Sequence, residues 1–229
     1  MPEVSLDTPD ALGERLQIAG AVMVARDGRT VAAHYGSAAS ELAVCLRRVG
    51  LAVRDDLETV DLVAEPHVLD ELLGDDAPAP GAAVPTAGGW CCRLSPGHAV
   101  VVVRTRAAAS WRRLAGDAGS AGRHMHFKQG QAAQVVLSLV GPRARRLLAQ
   151  SGLPKDVTPG SVRVAAIAGA PVLLLCEADD RMLVVVAQDE AAGVWAELVA
   201  AGSELGVAFV GADALDRLAL ARDGTLLRV

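Results

Sequence analysis

The chain carries one short pattern twice. Residues 61–73 read DLVAEPHVLDELL, and residues 138–148 read SLVGPRARRLL. In both copies a short apolar strand leads into a proline and then into a helical stretch that ends in two leucines. Proline is favoured in the first turn of a helix, so the strand–proline–helix order is physically consistent. The repeat predicts that one structural unit occurs twice in the fold.

The residues around the pattern extend the repeat. Pro80-Gly81 corresponds to Pro159-Gly160, and VVVVRTRAAASWRRL corresponds to LVVVAQDEAAGVWAEL. Each copy reads roughly as β-α-β-β-β-α, whereas a parallel α/β sheet would alternate strand and helix more regularly. We therefore predict an α+β fold in a single domain, 1–229. It contains two pseudo-symmetric half-repeats, 51–117 and 127–229, with a cavity where the halves meet.

A further segment, residues 20–50, precedes the first half-repeat. GAVMVARDGRTVAAHY predicts a hairpin, because two apolar stretches flank the turn signal Asp27-Gly28. The following SAASELAVCLRRVG predicts a helix in which Ser40 is the N-cap and Gly50 stops the helix.

Composition excludes several classes of protein. Of the 229 residues, 52% are hydrophobic and only 3% are aromatic, which predicts a globular chain with a core of Val, Leu and Ala. The net charge of −5 argues against a nucleic-acid partner, since such proteins normally carry a basic face. No apolar run reaches the length of a membrane span, and the N-terminus is acidic and polar. We expect a cytoplasmic protein that does not contact a membrane.

The cysteines and histidines do not form a metal motif. Cys45, Cys91, Cys92 and Cys176 have no zinc-type spacing, and we expect them to be buried and reduced. The sequence therefore predicts no metal site.

Three stretches resemble the folate-binding domain of the aminomethyltransferase family. They are HYGSAASELAVCLRRVGLAVRDDL, SLVGPRARRLL, and VWAELVAAGSELGVAFVGADALDRLALARDG. The family includes the T-protein of the glycine cleavage system and the gamma subunit of heterotetrameric sarcosine oxidase. The resemblance implies this folate-binding-domain-like fold without the C-terminal barrel domain of a full T-protein. The length is closer to that of the gamma subunit.

The residues that carry the family's chemistry differ here. The resemblance implies an aspartate after the VVVV strand, but RTRAAASWRRL contains none. It also implies a pterin-binding glutamate in a Gly-Glu-x-Gly loop. CEADDRM lacks those glycines and offers Glu177, Asp179 or Asp180 instead. Ala219 and Ala221 replace the arginine and glutamate of the family's closing motif. The resemblance thus implies the fold and argues against the family's one-carbon transfer.

The remaining polar residues suggest where a ligand would bind. Arg104 and Arg106 follow the VVVV strand and have the side chains that bind carboxylates or phosphates, with solvation of a strand end as the alternative. Glu177 is a further ligand-binding candidate. His124, His126 and Asp179 are the candidates for catalysis, although the two histidines also read as polar loop residues.

Three functions follow from these observations. The first is an accessory or ligand-binding subunit, with tetrahydrofolate as the ligand that the resemblance implies. Its partner would be a larger oxidoreductase or pathway enzyme, or a second copy of this chain. The second is a repurposed enzyme that acts on another small molecule in the cavity between the repeats. The third is an active tetrahydrofolate-dependent aminomethyl- or methyltransferase with a relocated acid such as Asp179.

Overall fold

The computed structural model describes residues 11–120, 125–127, 134–154 and 156–222. The chain begins with an N-terminal helix, a hairpin, a second helix and a strand. These are α1 (Ala11–Ile18), β1 (Val22–Arg26), β2 (Arg29–His34), α2 (Ala38–Arg47) and β3 (Val49–Val53). The predicted hairpin is confirmed, with its turn at Asp27-Gly28.

The first copy of the repeat follows β3. Its elements are β4 (Leu57–Ala64), α3 (Pro66–Leu73), β5 (Ala83–Thr86), β6 (Gly89–Ser95), β7 (His98–Arg104) and α4 (Thr105–Ser120). A short strand, β8 (Met125–Phe127), comes next. Pro66 occupies the first turn of α3, as the strand–proline–helix pattern predicts.

The second copy has the same order of elements. They are β9 (Gln134–Val140), α5 (Ala144–Gln150), β10 (Val162–Ile167), β11 (Ala170–Ala178), β12 (Arg181–Ala187) and α6 (Gln188–Ala201). A 3-10 turn (Ser203–Leu205), β13 (Val207–Phe209) and α7 (Ala212–Arg222) complete the described chain. The prediction of an α+β fold is confirmed.

The two copies form two sheets in which five equivalent strands follow the same order, and one sheet has β13 as a sixth strand. One sheet runs β5-β6-β7-β4-β8 and the other runs β10-β11-β12-β9-β3-β13. The copies exchange the strands that precede them: β3 comes before β4 but pairs with β9, whereas β8 comes before β9 but pairs with β4. Each half therefore completes the sheet of the other half. Neither of these sheets closes into a barrel.

The inner faces of the two sheets pack against each other. This middle layer is made of aliphatic side chains from both copies, among them Val100, Val102, Leu175, Leu183 and Val185. Helices α1, α5 and α6 cover the outer face of one sheet, and α3 and α4 cover the outer face of the other. Because strand side chains alternate between faces, every second residue of β7 and β12 points into the layer between the sheets.

The boundaries of α2 differ from the prediction. The helix starts at Ala38, so Ser37 and not Ser40 holds the N-cap position. Gly50 lies within β3 and does not stop the helix. A side chain at Gly50 would begin 2.9 Å from the methyl groups of Val210 and 3.1 Å from the sulfur of Cys45. Glycine is needed there for close packing, which a helix-stop signal does not distinguish.

None of the helices in the described part of the chain combines the length and the apolar character that crossing a bilayer requires.

Candidate functional site

A cavity of about 430 Å³ lies between the inner faces of the two sheets, and we call it the first cavity. Both copies contribute to its wall. Its polar residues are Arg54, Trp90, Arg104, Arg106 and Glu177, and the others are Leu57, Gly88, Gly89, Val102 and Leu183. The cavity that the duplication predicts at the meeting of the halves is thus present.

The β7–α4 junction supplies two of the arginines. Arg104 is the last residue of β7 and has the same orientation as Val102, whose side chain lies in the middle layer. Arg106 lies in the first turn of α4, which begins directly after the strand. The two arginines do not continue one strand face, but the sharp change from strand to helix brings both to the same cavity.

Two glycines allow the wall to form beside Arg104. The carbonyl of Gly88 accepts a hydrogen bond from the backbone N–H of Arg104 at 2.9 Å. Gly88 has φ +94, a conformation that residues with a side chain rarely adopt. A Cβ on Gly89 would overlap the carbonyl oxygen of Val102. The tight start of the β6–β7 pairing therefore requires glycine at this point.

A hydrogen bond across the cavity joins the two copies. The indole Nε1 of Trp90, on β6, donates to Oε1 of Glu177, on β11, at 2.9 Å. Glu177 lies at a register irregularity of β11, between Cys176 and Ala178. The bond fixes the orientation of the carboxylate and leaves its second oxygen, Oε2, to accept further hydrogen bonds.

Arg54 enters the cavity wall paired with Asp56. The guanidinium donates twice, from Nε to Oδ1 at 2.7 Å and from Nη2 to Oδ2 at 2.8 Å. Burial opposes ionisation of Asp56, but the bonds from Arg54 and the nearby charge of Arg104 outweigh it and hold the carboxyl pKa below its usual value. Burial likewise opposes the charge on Arg54, and Asp56 outweighs it and raises the pKa of the guanidinium. The pair is therefore ionised and mutually neutralised.

Arg104 and Arg106 have no such partner. No carboxylate of the described residues lies within salt-bridge distance of either guanidinium. Among the described residues that line the first cavity, Arg54 is neutralised by Asp56 and Glu177 is the one carboxylate, so the charge of this described lining is net positive. An arginine at neutral pH is always charged and donates in a fork that fits carboxylates and phosphates.

The other residues that the sequence suggested lie elsewhere. Asp179 is in the turn between β11 and β12, where its exposed carboxylate pairs with Arg145 at 2.7 Å, outside the first cavity. His126 lies in β8 opposite Val63, near the end of β4 that is remote from the cavity, and its side chain is not among those described. His124 lies outside the described residues. A catalytic role for these three residues stays a prediction.

The sequence predicts three of the residues that line the first cavity and does not predict others. The place after the VVVV strand suggests Arg104 and Arg106, the family resemblance suggests Glu177, and all three line the first cavity. Arg54 and Trp90 also line the cavity and are not among the residues that the sequence predicts there. The alternation of Trp90 with Cys92 and Leu94 on one face of β6 is the signal that would have placed Trp90 in the layer between the sheets.

The fold and the cavity together define a class of protein: a duplicated α+β domain with a ligand-sized cavity between the repeats. Known structures share the fold of this domain. The glycine cleavage system aminomethyltransferase T from Bartonella henselae matches with a TM-score of 0.74 and 19% identity over 89% of this chain. The heterotetrameric sarcosine oxidase from Corynebacterium sp. U-96, solved in complex with pyrrole 2-carboxylate, matches with a TM-score of 0.59 and 21% identity over 76% of this chain.

These similarities confirm the predicted aminomethyltransferase-type fold and show no more than the fold. This chain spans 59% of the length of the aminomethyltransferase T chain and 95% of the matched sarcosine oxidase chain. No protein-family model and no curated protein matches the sequence.

Metal ligands do not gather at the cavity or elsewhere in the described ranges. Among residues 11–120, 125–127, 134–154 and 156–222, no three His, Cys, Asp or Glu side chains lie close enough to hold a metal ion.

Proposed function

We propose that this chain is a ligand-binding subunit with the aminomethyltransferase fold. It holds an anionic small molecule of the tetrahydrofolate type in the first cavity, does not carry out one-carbon transfer, and acts as an accessory subunit of a larger cytoplasmic enzyme. The observation that carries the proposal is the net positive cavity between the two halves, in which Arg104 and Arg106 have no carboxylate partner among the described residues.

The residues present suit a reduced folate. Such a molecule has a ring with N–H donors at one end and carboxylates at the other. The free Oε2 of Glu177 would accept from the ring, and Arg104 and Arg106 would bind the carboxylates. The volume of about 430 Å³ lies within the range of small-molecule sites, so the ring system and part of the tail would be enclosed.

The same lining argues against transfer. When bound, tetrahydrofolate would supply a nitrogen that carries the one-carbon unit, and a transferase needs an acid beside it. Glu177 is the sole carboxylate in the described lining, and it already accepts the indole N–H of Trp90. The end of β7 and the first turn of α4 carry Arg104 and Arg106, which cannot act as acids at neutral pH.

The accessory role rests on the sarcosine oxidase similarity. That enzyme is heterotetrameric, and the present chain spans nearly the whole of the matched chain. We therefore propose a larger oxidoreductase or pathway enzyme as the partner, with a homodimer as the competing arrangement.

A thermal-shift titration with tetrahydrofolate and 5-formyltetrahydrofolate tests the ligand. A ligand present at a hundred times its dissociation constant adds about 2.7 kcal/mol to the free energy of unfolding, which gives a clear shift in melting temperature. We expect a saturable shift that is lost in Arg104→Ala and weakened in Glu177→Gln. The matched control is Arg146→Ala, which removes an exposed arginine of α5 outside the cavity and should leave the shift unchanged.

Three results would contradict the proposal. One is the absence of a shift with either folate, which would mean that the cavity does not hold this ligand class. Another is an equal loss of the shift in Arg146→Ala, which would place binding elsewhere. The third is transfer of a one-carbon unit to tetrahydrofolate by the purified chain, since the protein would then be an active transferase.

The partner is tested separately by light scattering and by co-purification from the source cells. A stoichiometric complex with a larger enzyme supports the accessory role. A stable monomer without a partner, or a homodimer that saturates the interaction, counts against it.

A further inference from the structure

The two sheets have the same register, so each residue of one copy has a counterpart in the other. Trp90 of β6 pairs with Val102 of β7, and the equivalent pair in the other copy is Leu173 of β11 with Val185 of β12. The duplication therefore predicts that a cavity formed on one side of the middle layer has a counterpart on the other side.

A second cavity, of about 260 Å³, lies at the opposite end of the layer between the sheets. Counterparts of the first cavity's lining residues form its wall. The corresponding pairs, first cavity before second, are Trp90 and Leu173, Arg104 and Ala187, and Glu177 and Leu94. In each of these three pairs an aromatic or charged group of the first cavity is replaced by an aliphatic side chain. The two cavities share an origin in the fold but differ in chemistry.

A histidine–carboxylate pair and the amide of Gln134 provide the polarity of the second cavity. Nε2 of His98, at the start of β7, lies 2.6 Å from Oδ1 of Asp61 on β4. The Asp61 side chain is 13% exposed and the His98 side chain is 34% exposed. The other copy has Ser138 and Arg181 at these positions, so the pair is not imposed by the repeat.

The contact between Nε2 of His98 and Asp61 leaves the other ring nitrogen, Nδ1, to interact with a ligand. Because an ionised carboxylate only accepts hydrogen bonds, Nε2 of His98 is the donor in this pair, and in the tautomer that is protonated at Nε2 alone Nδ1 carries a lone pair. No hydrogen bond to Nδ1 is made by the described residues. A ligand that donates a hydrogen bond fits this nitrogen, whereas an anion would lie beside the Asp61 carboxylate and be repelled.

The walls set the size and polarity of the ligand. Leu94, Val100, Leu173 and Val185 are aliphatic, and the volume is smaller than that of a site for a drug-sized molecule. We propose that the second cavity is a binding site for a small, largely apolar molecule with one ring and one hydrogen-bond donor, of the phenol or indole class, which donates to Nδ1 of His98. The site is independent of the proposed folate-type function of the first cavity.

The test compares phenol with toluene and benzoate on the full chain. Phenol has the ring and the donor, toluene lacks the donor, and benzoate replaces it by a negative charge. Ligand-detected NMR gives the three affinities, and the histidine Cε1–Hε1 signals of ¹³C-labelled protein report the place of binding. We expect phenol to bind about tenfold more tightly than toluene, the ratio that one net hydrogen bond supplies, and benzoate to bind most weakly.

A second histidine and three variants distinguish binding in the second cavity from nonspecific binding to the protein. His67 also lies near a carboxylate, Glu65 at 3.5 Å, but on the exposed surface of α3, so its signal should not move when that of His98 does. His98→Phe keeps a ring and should abolish the preference for phenol over toluene. Asp61→Ser introduces the residue that the other copy has, and should weaken phenol binding about tenfold. Arg104→Ala should leave phenol binding unchanged.

The proposal is overturned if phenol does not shift the His98 signal at millimolar concentration, if the His67 signal shifts equally, or if benzoate binds as tightly as phenol. It is also overturned if folded His98→Phe and Asp61→Ser both keep the wild-type preference. If the folate titration shows no binding, the phenol affinities and the His98 signal still test this proposal, because they report on a different cavity.

Discussion

Ala82 pairs with Ser161, and these two residues occupy equivalent positions in the two copies of the repeat. A backbone hydrogen bond flanks this bridge on either side. The two bonds run from Ala83 N to Gly160 O at 2.7 Å and from Val162 N to Gly81 O at 2.9 Å. Because the bridge and its flanking bonds exchange under one two-fold rotation, the approximate symmetry axis passes between Ala82 and Ser161. The repeated Pro-Gly pairs lie directly beside this axis.

The axis explains why the first and second cavities lie at opposite ends of the middle layer. A two-fold rotation about an axis between the sheets exchanges the two copies and the two ends of the layer. Each cavity is therefore lined by equivalent strand positions, with the roles of the two copies exchanged. The two copies differ in sequence at these positions, so one cavity is cationic and the other is largely aliphatic with a His98–Asp61 pair. The duplication supplies two places for ligands, and the side chains decide what each can hold.

Gly89→Ala should destabilise the protein and damage the first cavity. The added methyl would overlap the carbonyl of Val102, which belongs to the neighbouring strand and cannot rotate away. We expect the free energy of unfolding to fall by about 1–3 kcal/mol, the usual range for overpacking. Chemical denaturation measures the change.

The matched control for Gly89→Ala is Gly193→Ala. Gly193 lies within α6, and no atom lies within 4 Å of the added Cβ. Alanine should stabilise the helix there by about 0.5–1 kcal/mol. Equal effects of the two substitutions would contradict the close approach of β6 to β7.

Glu41→Ala should loosen the join between the N-terminal hairpin and α7. Glu41 is buried, and its carboxylate accepts from the backbone N–H of Tyr35 at 2.7 Å and from that of Gly211 at 2.8 Å. Removal leaves two donors without their acceptor, which should cost about 2–4 kcal/mol. Urea unfolding gives the value. Glu197→Ala, within α6, is the control and should change stability by less than about 0.5 kcal/mol.

Much of the local structure could be predicted because its signals are local. The strand–proline–helix pattern marks β4 and α3 directly, and Asp27-Gly28 marks the hairpin turn. The exchange of β3 and β8 between the sheets could not be predicted, because it depends on which distant strand completes each edge. Gly50 shows the same limit: its role is close packing against Val210, which comes from far along the chain.

The candidate site divides in the same way. Arg104 could be predicted because a charge at the end of a buried apolar strand is conspicuous. The Trp90–Glu177 bond joins residues of different copies, and the His98–Asp61 pair joins different strands, so neither has a signal in any single stretch of sequence. Pairings of this kind depend on the register of the sheets and on the two-fold arrangement.

Asp56→Asn should make the protein less sensitive to acid. The folded state holds the pKa of Asp56 below its unfolded value, so the stabilisation is present above the ordinary aspartate value of about 3.9 and is lost as pH falls through the folded value. At neutral pH the variant leaves Arg54 without its bidentate partner and should lose about 2 kcal/mol. Urea unfolding at neutral pH and at about pH 3 should show this deficit shrinking in acid.

The control for Asp56→Asn is Asp179→Asn. Asp179 also pairs with an arginine, Arg145, but its side chain is 85% exposed. An exposed pair contributes little, so we expect a change below about 0.5 kcal/mol at either pH. A deficit in Asp56→Asn that stays constant from neutral to acid pH would contradict the lowered pKa.

The cysteines should be unreactive in the folded protein and should link stability to alkaline pH. All four are buried and free, and burial raises the pKa of the Cys45 and Cys91 thiols to about 11, with the charge of Glu41 adding to the shift at Cys45. Because the thiolate is the nucleophile, iodoacetamide at about pH 8 should leave the native chain unmodified and alkylate all four positions in denaturant. Mass spectrometry counts the adducts.

The raised thiol pKa values fix the sign of the alkaline effect. The folded state binds these protons more tightly than the unfolded chain, so the stabilisation is fully present below the unfolded thiol value of about 8.5 and is lost as pH rises toward 11. The free energy of unfolding should therefore decline from about pH 8.5 upward, and the decline should be shallower in the Cys45→Ala, Cys91→Ala double variant. A native thiol that alkylates as fast as free cysteine, or an identical alkaline slope in the variant, would show that these groups are not held protonated by the fold.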